Sequence, residues 1–297
     1  MHSISPLVWL SFGLLALAIC AVWLKPVSLG GRLVVAPWLA LFTAALIGGL
    51  AGGVLTPLAV AELALFGGVA YGAGSAAVGR GWRIVLLIVT GVLALALAMH
   101  RLPGFNNPQL IAGVRFSADA TAFSQYANFD KAAVGLILLA LLCRRAGQGA
   151  DWRALARRSL PVAAGTVVVV MALGVALHVV GLAPKLPAYT PVFLLTNLLF
   201  TCVAEEAFFR GFLQERMAAT STGRVWQVGV VLLSGLLFGA AHLAGGPLYA
   251  LLAGVAGVGY ASAYALTRRV EAPILTHFCV NMAHFLLFTY PALAPLA

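Results

Sequence analysis

The sequence predicts an all-α fold, a polytopic helical membrane protein of about eight to ten transmembrane helices. Three observations predict it. Mean hydropathy is +1.02 and only 9% of the 297 residues are charged, where a soluble domain is nearer 25%. Apolar runs long enough to cross a bilayer recur along the chain. The basic residues fall between these runs, as orientation signals do. A transmembrane barrel would show short alternating segments instead, and none are visible.

Ten candidate spans follow in order: 7–24, 33–55, 57–79, 83–99, 129–143, 160–182, 190–212, 226–243, 247–266 and 273–290. The first is read as a retained span, because no Lys or Arg precedes it and its apolar stretch is long for a signal peptide. Glycines at 48, 49, 52 and 53, and at 67, 68, 72 and 74, suit close helix–helix packing. The fifth span is short. The polar, aromatic segment before it, 100–131, is expected as the longest loop, with a re-entrant or interfacial stretch; Phe105, Phe116, Phe123, Tyr126 and Phe129 suit an interface.

Alternating the spans places Lys25, Arg32, Arg80, Arg83, Arg144, Arg145, Arg153, Arg157, Arg158, Arg210, Arg216, Arg224, Arg268 and Arg269 on one side. Only Arg101, Arg115, Lys131 and Lys185 fall on the other. The first set is expected to be cytoplasmic, so both termini and the 100–131 loop face outward. The chain reads as a multi-pass protein of a bacterial inner (cytoplasmic) membrane. The net charge of +10 is scattered in this way, which argues against a nucleic-acid partner. Cys20, Cys143, Cys202 and Cys279 lie in or at the ends of apolar runs without paired spacing, and read as buried thiols. The basic stretch 144–158 is the best internal boundary. Residues 1–158 are expected to be accessory helices carrying the extracytoplasmic loop 100–131, and 159–297 a catalytic core.

Two adjacent carboxylates, Glu205 and Glu206, sit within an apolar run of a chain holding eight acidic residues. Each costs about 2.5–3.5 kcal/mol at a helix centre in lipid, so they mark function when partners can be named. They point about 100° apart on an α-helix. Glu206 and Arg210 stand at i, i+4 with the acid first, the favourable order for a pair, so Glu206 is expected to be structural and Glu205 to face a cavity. Downstream, Phe238 and His242 are one turn apart on one span, and His277 and Asn281 one turn apart on the last. A Glu, two His and an Asn supply what hydrolysis needs, a base for water and donors for an oxyanion. A carboxyl in an apolar cavity is suited to general-base work near neutral pH. The set Glu205, His242 and His277 would also serve as zinc ligands with an open position for water. The metal-free form is favoured and no cofactor is expected.

Other intramembrane chemistries lack their residues. No H-E-x-x-H occurs, since Leu243 follows His242, and no G-x-S-x-G occurs. Asp119, Asp130 and Asp151 all read as loop residues, which argues against an aspartyl dyad. Glu62, the other acid within a span, either pairs with a basic group of a neighbouring helix or lines a cavity. His178 reads as packed, and His284 as packed or supporting Asn281. Simple topology leaves His242 and His277 toward opposite faces, so a helix break is needed. Gly245-Gly246-Pro247 would permit one directly after His242.

The segments EEAFFR, FGAAH and HFCVN, in this order on successive apolar spans, resemble the E-E-x-x-x-R, F-x-x-x-H and H-x-x-x-N motifs of the CAAX prenyl protease and bacteriocin-processing (CPBP, also called Abi) family. The resemblance covers about residues 190–285. It implies a glutamate-dependent intramembrane endopeptidase acting on a membrane-associated peptide or protein in the lipid bilayer. Glu205 and His242 would activate water, His277 and Asn281 would stabilise the oxyanion, and Phe238 would shape the pocket. A transporter would use the same intramembrane acids, but no inverted repeat is visible. A non-catalytic immunity or scaffold protein would be expected to have lost motif residues, and all are intact.

Overall fold

The computed structural model describes residues 4–29, 33–147, 149 and 152–294. Arg32 and Asp151, assigned to loops above, lie outside them. The described chain is all-α, apart from two short hairpins. The elements are α1 (Pro6–Ala21), β1 (Val27–Leu29), β2 (Leu33–Val35), α2 (Pro37–Ala51), α3 (Pro57–Gly74) and α4 (Arg80–Ala98). They continue with β3 (Gln109–Val114), β4 (Phe123–Tyr126), α5 (Phe129–Leu141) and α6 (Trp152–Ala176). A helix of 29 residues follows, α7 (Thr190–Ala218), then α8 (Arg224–Ala241), α9 (Pro247–Thr267) and α10 (Glu271–Leu287). Six of these, α3, α4 and α6 to α9, are long and apolar enough to cross a membrane; α1 and α2 are shorter apolar helices.

The chain divides into two compact units. The first comprises the described residues of Met1–Pro108, Tyr126–Gln148 and Leu199–Phe208; the second, those of Gln109–Gln125, Gly149–Leu198 and Phe209–Ala297.

In the first unit, Pro begins α1, α2 and α3, where its missing N–H costs nothing. Ser5 and Thr56 cap α1 and α3 with their hydroxyls. The glycine expectation holds for part of its set. Gly48, Gly49 and Gly52 lie against α1, and Gly72 against Leu86 of α4, whereas among the described residues nothing comes within 4 Å of a Cβ on Gly68. Ser11 donates to the Ala45 carbonyl at 2.8 Å and ties α1 to α2. The short fifth span proves to be a core helix: Phe129 to Leu139 of α5 are buried almost without interruption, as befits an apolar helix of 13 residues. The 100–107 stretch closes over its start. Asn106 donates to the Gly53 carbonyl, and the Asn107 side chain accepts from the Phe129 N–H and donates to Asp130. Asp130 and Lys131 therefore belong to the first turn of α5 and not to a loop. Asp130 is buried there, held by His100 Nδ1 at 2.6 Å.

In the second unit, the segment 109–125 forms a β-hairpin, where a loop was expected. Its tip region is stitched to the chain after α10: Thr121 N–H donates to the Ala292 carbonyl and Ala294 N–H to that of Asp119. Phe116 and Phe123 pack with Phe193, Phe285 and Tyr290 in one ring cluster. Asp119 accepts from Ser117 and Thr289, which holds its carboxyl below the usual range, helped by Lys185; burial pushes Lys185 down. His178 is exposed, not packed, and turns the chain out of α6 with a left-handed φ of 54°. Helices α8 and α9 meet through glycines. A Cβ on Gly239 would stand 2.8 Å from the Ala250 carbonyl oxygen and 2.9 Å from Gly254 Cα. Gly239→Val should therefore lower the melting temperature in detergent, by about 1–3 kcal/mol of overpacking. An unchanged melt would show that these helices can separate freely.

The break after His242 is present. Helix α8 ends at Ala241, Leu243–Gly245 form one 3-10 turn, and Gly246 takes φ 98°, a value open to glycine. Pro247 then starts α9 at its first position.

Candidate active site

Helix α7 carries the acidic pair, and its winding is uneven. Asn197–Cys202 and Ala207–Gln214 are π-helical, and between them Val203–Glu206 is α-helical. A π turn bonds i to i+5 and widens the helix, and such bulges concentrate at functional sites. From Ala207 onward the helix does not wind at 3.6 residues per turn, so an i, i+4 spacing does not by itself set Glu206 and Arg210 on one face.

The first unit holds Glu205 and Glu206. Glu205 is not an unaccompanied carboxylate facing a cavity: Lys131 Nζ donates to its Oε1 at 2.7 Å, with both side chains mostly covered. Glu206 is fully buried. Cys143, at the end of the fifth span, donates to the Ala207 carbonyl at 3.4 Å. Of the four cysteines, all free thiols, only Cys202 is buried; Cys20 is exposed. In the same unit Glu62 is half-buried on α3, and among the described residues its Oε2 makes no hydrogen bond.

The second unit gathers three of the expected residues around the ring of a fourth, Phe238. Phe238, 2% exposed, has the His242 ring at 4.5 Å, the His277 ring at 5.6 Å edge-on, and the Arg210 guanidinium carbon at 4.6 Å. Arg210 is fully buried and donates from Nη2 to the Gly257 carbonyl of α9 at 2.9 Å. It is thus no loop cation, and it leaves the cytoplasmic set proposed from the sequence. Gln214, four residues later, donates to the Ala261 carbonyl at 2.9 Å. Glu215 accepts from Tyr264 and Arg268, each at 2.8 Å. Three positions of α7 are thereby fixed to α9 and its end.

His242 is the C-cap of α8, and its Nδ1 lies 2.7 Å from the Phe238 carbonyl oxygen. A carbonyl can only accept, so Nδ1 carries the hydrogen, and in the neutral ring Nε2 carries the lone pair. His277 is 4% exposed and stacks on Tyr260, with centroids 4.5 Å apart and planes 15° apart. Asn281, one turn on, donates from Nδ2 to Asn197 Oδ1 at 3.1 Å. Asn197 was missed, although an amide eight residues before Glu205 in an apolar run was a visible signal. His284 lies 3.2 Å from the Thr289 carbonyl oxygen and packs on Tyr290.

Among the described residues, no group of three or more His, Cys, Asp or Glu side chains is placed to hold a metal ion. Residues 187–283, about a third of the chain, match the family model described as Rce1-like: type II CAAX prenyl endopeptidase Rce1-like. No curated protein and no solved structure matches the chain.

Proposed function

We propose, from the match of residues 187–283 to the Rce1-like family model of type II CAAX prenyl endopeptidases, that this chain hydrolyses a peptide bond of a membrane-associated substrate within the bilayer. The host membrane in this reading is a bacterial cytoplasmic membrane. Glu205 and His242 activate the water. The carboxylate takes its proton as the oxygen attacks the scissile carbonyl, and that proton passes to the departing amine when the tetrahedral intermediate collapses. His277 and Asn281 donate to the oxyanion, and Phe238 sets the wall against which both histidines rest.

The observation that carries this reading is the state of His242. Its Nδ1–H is committed to the Phe238 carbonyl, which leaves Nε2 as the acceptor that water activation needs. His277 and Asn281, one turn apart on α10, are likewise held by neighbours, Tyr260 and Asn197. The zinc version would use Glu205, His242 and His277 as ligands. An ammonium already sits on Glu205, and a second cation there would meet like-charge repulsion, which favours the metal-free chemistry.

The test is cleavage of a quenched fluorogenic peptide ending in an S-prenylated CAAX sequence, by the purified full chain in detergent. His242→Ala and Asn281→Ala should each lower kcat by about 100- to 1,000-fold with an unchanged melt. Wild-type rates in both variants would sink the mechanism. Exhaustive chelation should leave the rate unchanged; loss on chelation with recovery on added zinc would move the assignment to the metal version.

A further inference from the structure

We propose that Lys131 is a positioning residue for Glu205, so that helix α5, outside the family-matched stretch, contributes a group on which turnover depends. This rests on the hydrolytic role given to Glu205 above.

The placement is built from the sequence upward. Helix α5 approaches the Val203–Glu206 segment at Gly135: a Cβ there would stand 2.7 Å from Ala204 Cα and 3.0 Å from its Cβ. Only a glycine permits that approach. Lys131 precedes Gly135 by four residues, one turn back on the same face, and Glu205 follows Ala204. The contact between the two backbones thus delivers the lysine to the carboxylate, and Nζ lies 2.7 Å from Oε1.

The lysine's own base is also fixed. The Lys131 N–H donates to Asp130 Oδ1 at 2.9 Å, and the same carboxylate takes Asn107 at 3.1 Å and His100 at 2.6 Å. Asn107 in turn accepts from the Phe129 N–H at 2.8 Å. The first turn of α5 is thereby pinned by three side chains, and the ammonium is held where it is needed.

A cation here does two things. It offsets the cost of carrying a carboxylate inside the membrane, and its hydrogen bond on one oxygen fixes the plane of the carboxyl group against the water it must deprotonate. A general base misplaced by about 1 Å can lose about 100-fold in rate, which sets the size of the effect.

Lys131→Met, Lys131→Arg and Glu205→Gln, as full-length proteins in detergent, would be assayed on the same prenylated peptide. Lys131→Met should lose about 100-fold in kcat with KM unchanged, and Lys131→Arg, which keeps the cation, should recover most of it. A full kcat in Lys131→Met overturns the proposal, as does an arginine variant no better than methionine. If Lys131→Met does not accumulate in membranes, Lys131→Gln is judged by the same two outcomes. Glu205→Gln inactive with Lys131→Met fully active removes this inference alone. An active Glu205→Gln removes the proposed function as well.

Discussion

Glu205→Gln will reduce peptide cleavage by about 1,000-fold or more, within the range general-base catalysis supplies, while the protein inserts and melts as the wild type does. The substitution is isosteric. Its amide oxygen can still accept from Lys131, whose ammonium lies 2.7 Å from Oε1 in the parent, so the local packing has no reason to change. What is lost is the ability to take a proton from water. Glu206→Gln provides the contrast. Glu206 is fully buried, so removing its charge should act first on stability, and on rate only as far as the fold is disturbed. The measurement is kcat for both variants beside a detergent melt. Equal losses of activity at equal melting temperatures would show that the two carboxylates share the chemistry, against the division of labour proposed here. Retained activity in Glu205→Gln would remove the base altogether.

The large features of the fold were legible because they rest on hydropathy. The ten apolar runs reappear as α1 to α10, and the break at Gly245-Gly246-Pro247 follows from two residue types with fixed backbone consequences. Turn spacing on an ordinary α-helix also pairs Phe238 with His242, but it does not bring His277 to the same ring, which is a contact between two helices. Where the reading failed, the cause lay in contacts distant in sequence. Asp130 and Lys131 look like polar loop residues, yet they start a buried helix, because Asn107 and His100 supply the partners that its first turn requires. Lys131 reaches Glu205 across 74 positions, which no local pattern encodes. The π-helical stretches on either side of the acidic pair are invisible to a 3.6-residue period. Alternation of the spans sets Arg210 among the cytoplasmic cations, although its neighbours Phe209 and Phe212 already point to a buried setting. The hairpin at 109–125 was missed because its strands are short and its stabilising rings, Phe193, Phe285 and Tyr290, lie far along the chain.

Arg210→Met will lower the melting temperature by several degrees and take catalysis down with it, and Arg210→Lys will not restore either. The guanidinium is fully buried. It donates to the Gly257 carbonyl at 2.9 Å and lies over Phe238 at 4.6 Å and Tyr260 at 5.3 Å. A charged hydrogen bond contributes about 1.5–3 kcal/mol, and desolvated cation–π contacts about 2 kcal/mol more, so the loss should be about 3.5–5 kcal/mol before relaxation. Methionine fills much of the volume but restores neither the fork nor the charge. Lysine restores the charge as a compact ammonium, which cannot at once donate to α9 and keep a cation near two rings whose planes stand 81° apart. The catalytic consequence follows from the same contacts. Phe238 is the ring on which His242 and His277 rest, and Tyr260 is the ring on which His277 stacks. Arg210 holds both rings, so its removal releases the orientation of both histidines. The diagnostic observation is the lysine variant: near-wild-type melting and turnover in Arg210→Lys would mean that a point charge suffices, and that the guanidinium contacts with Phe238 and Tyr260 do not set the histidine geometry.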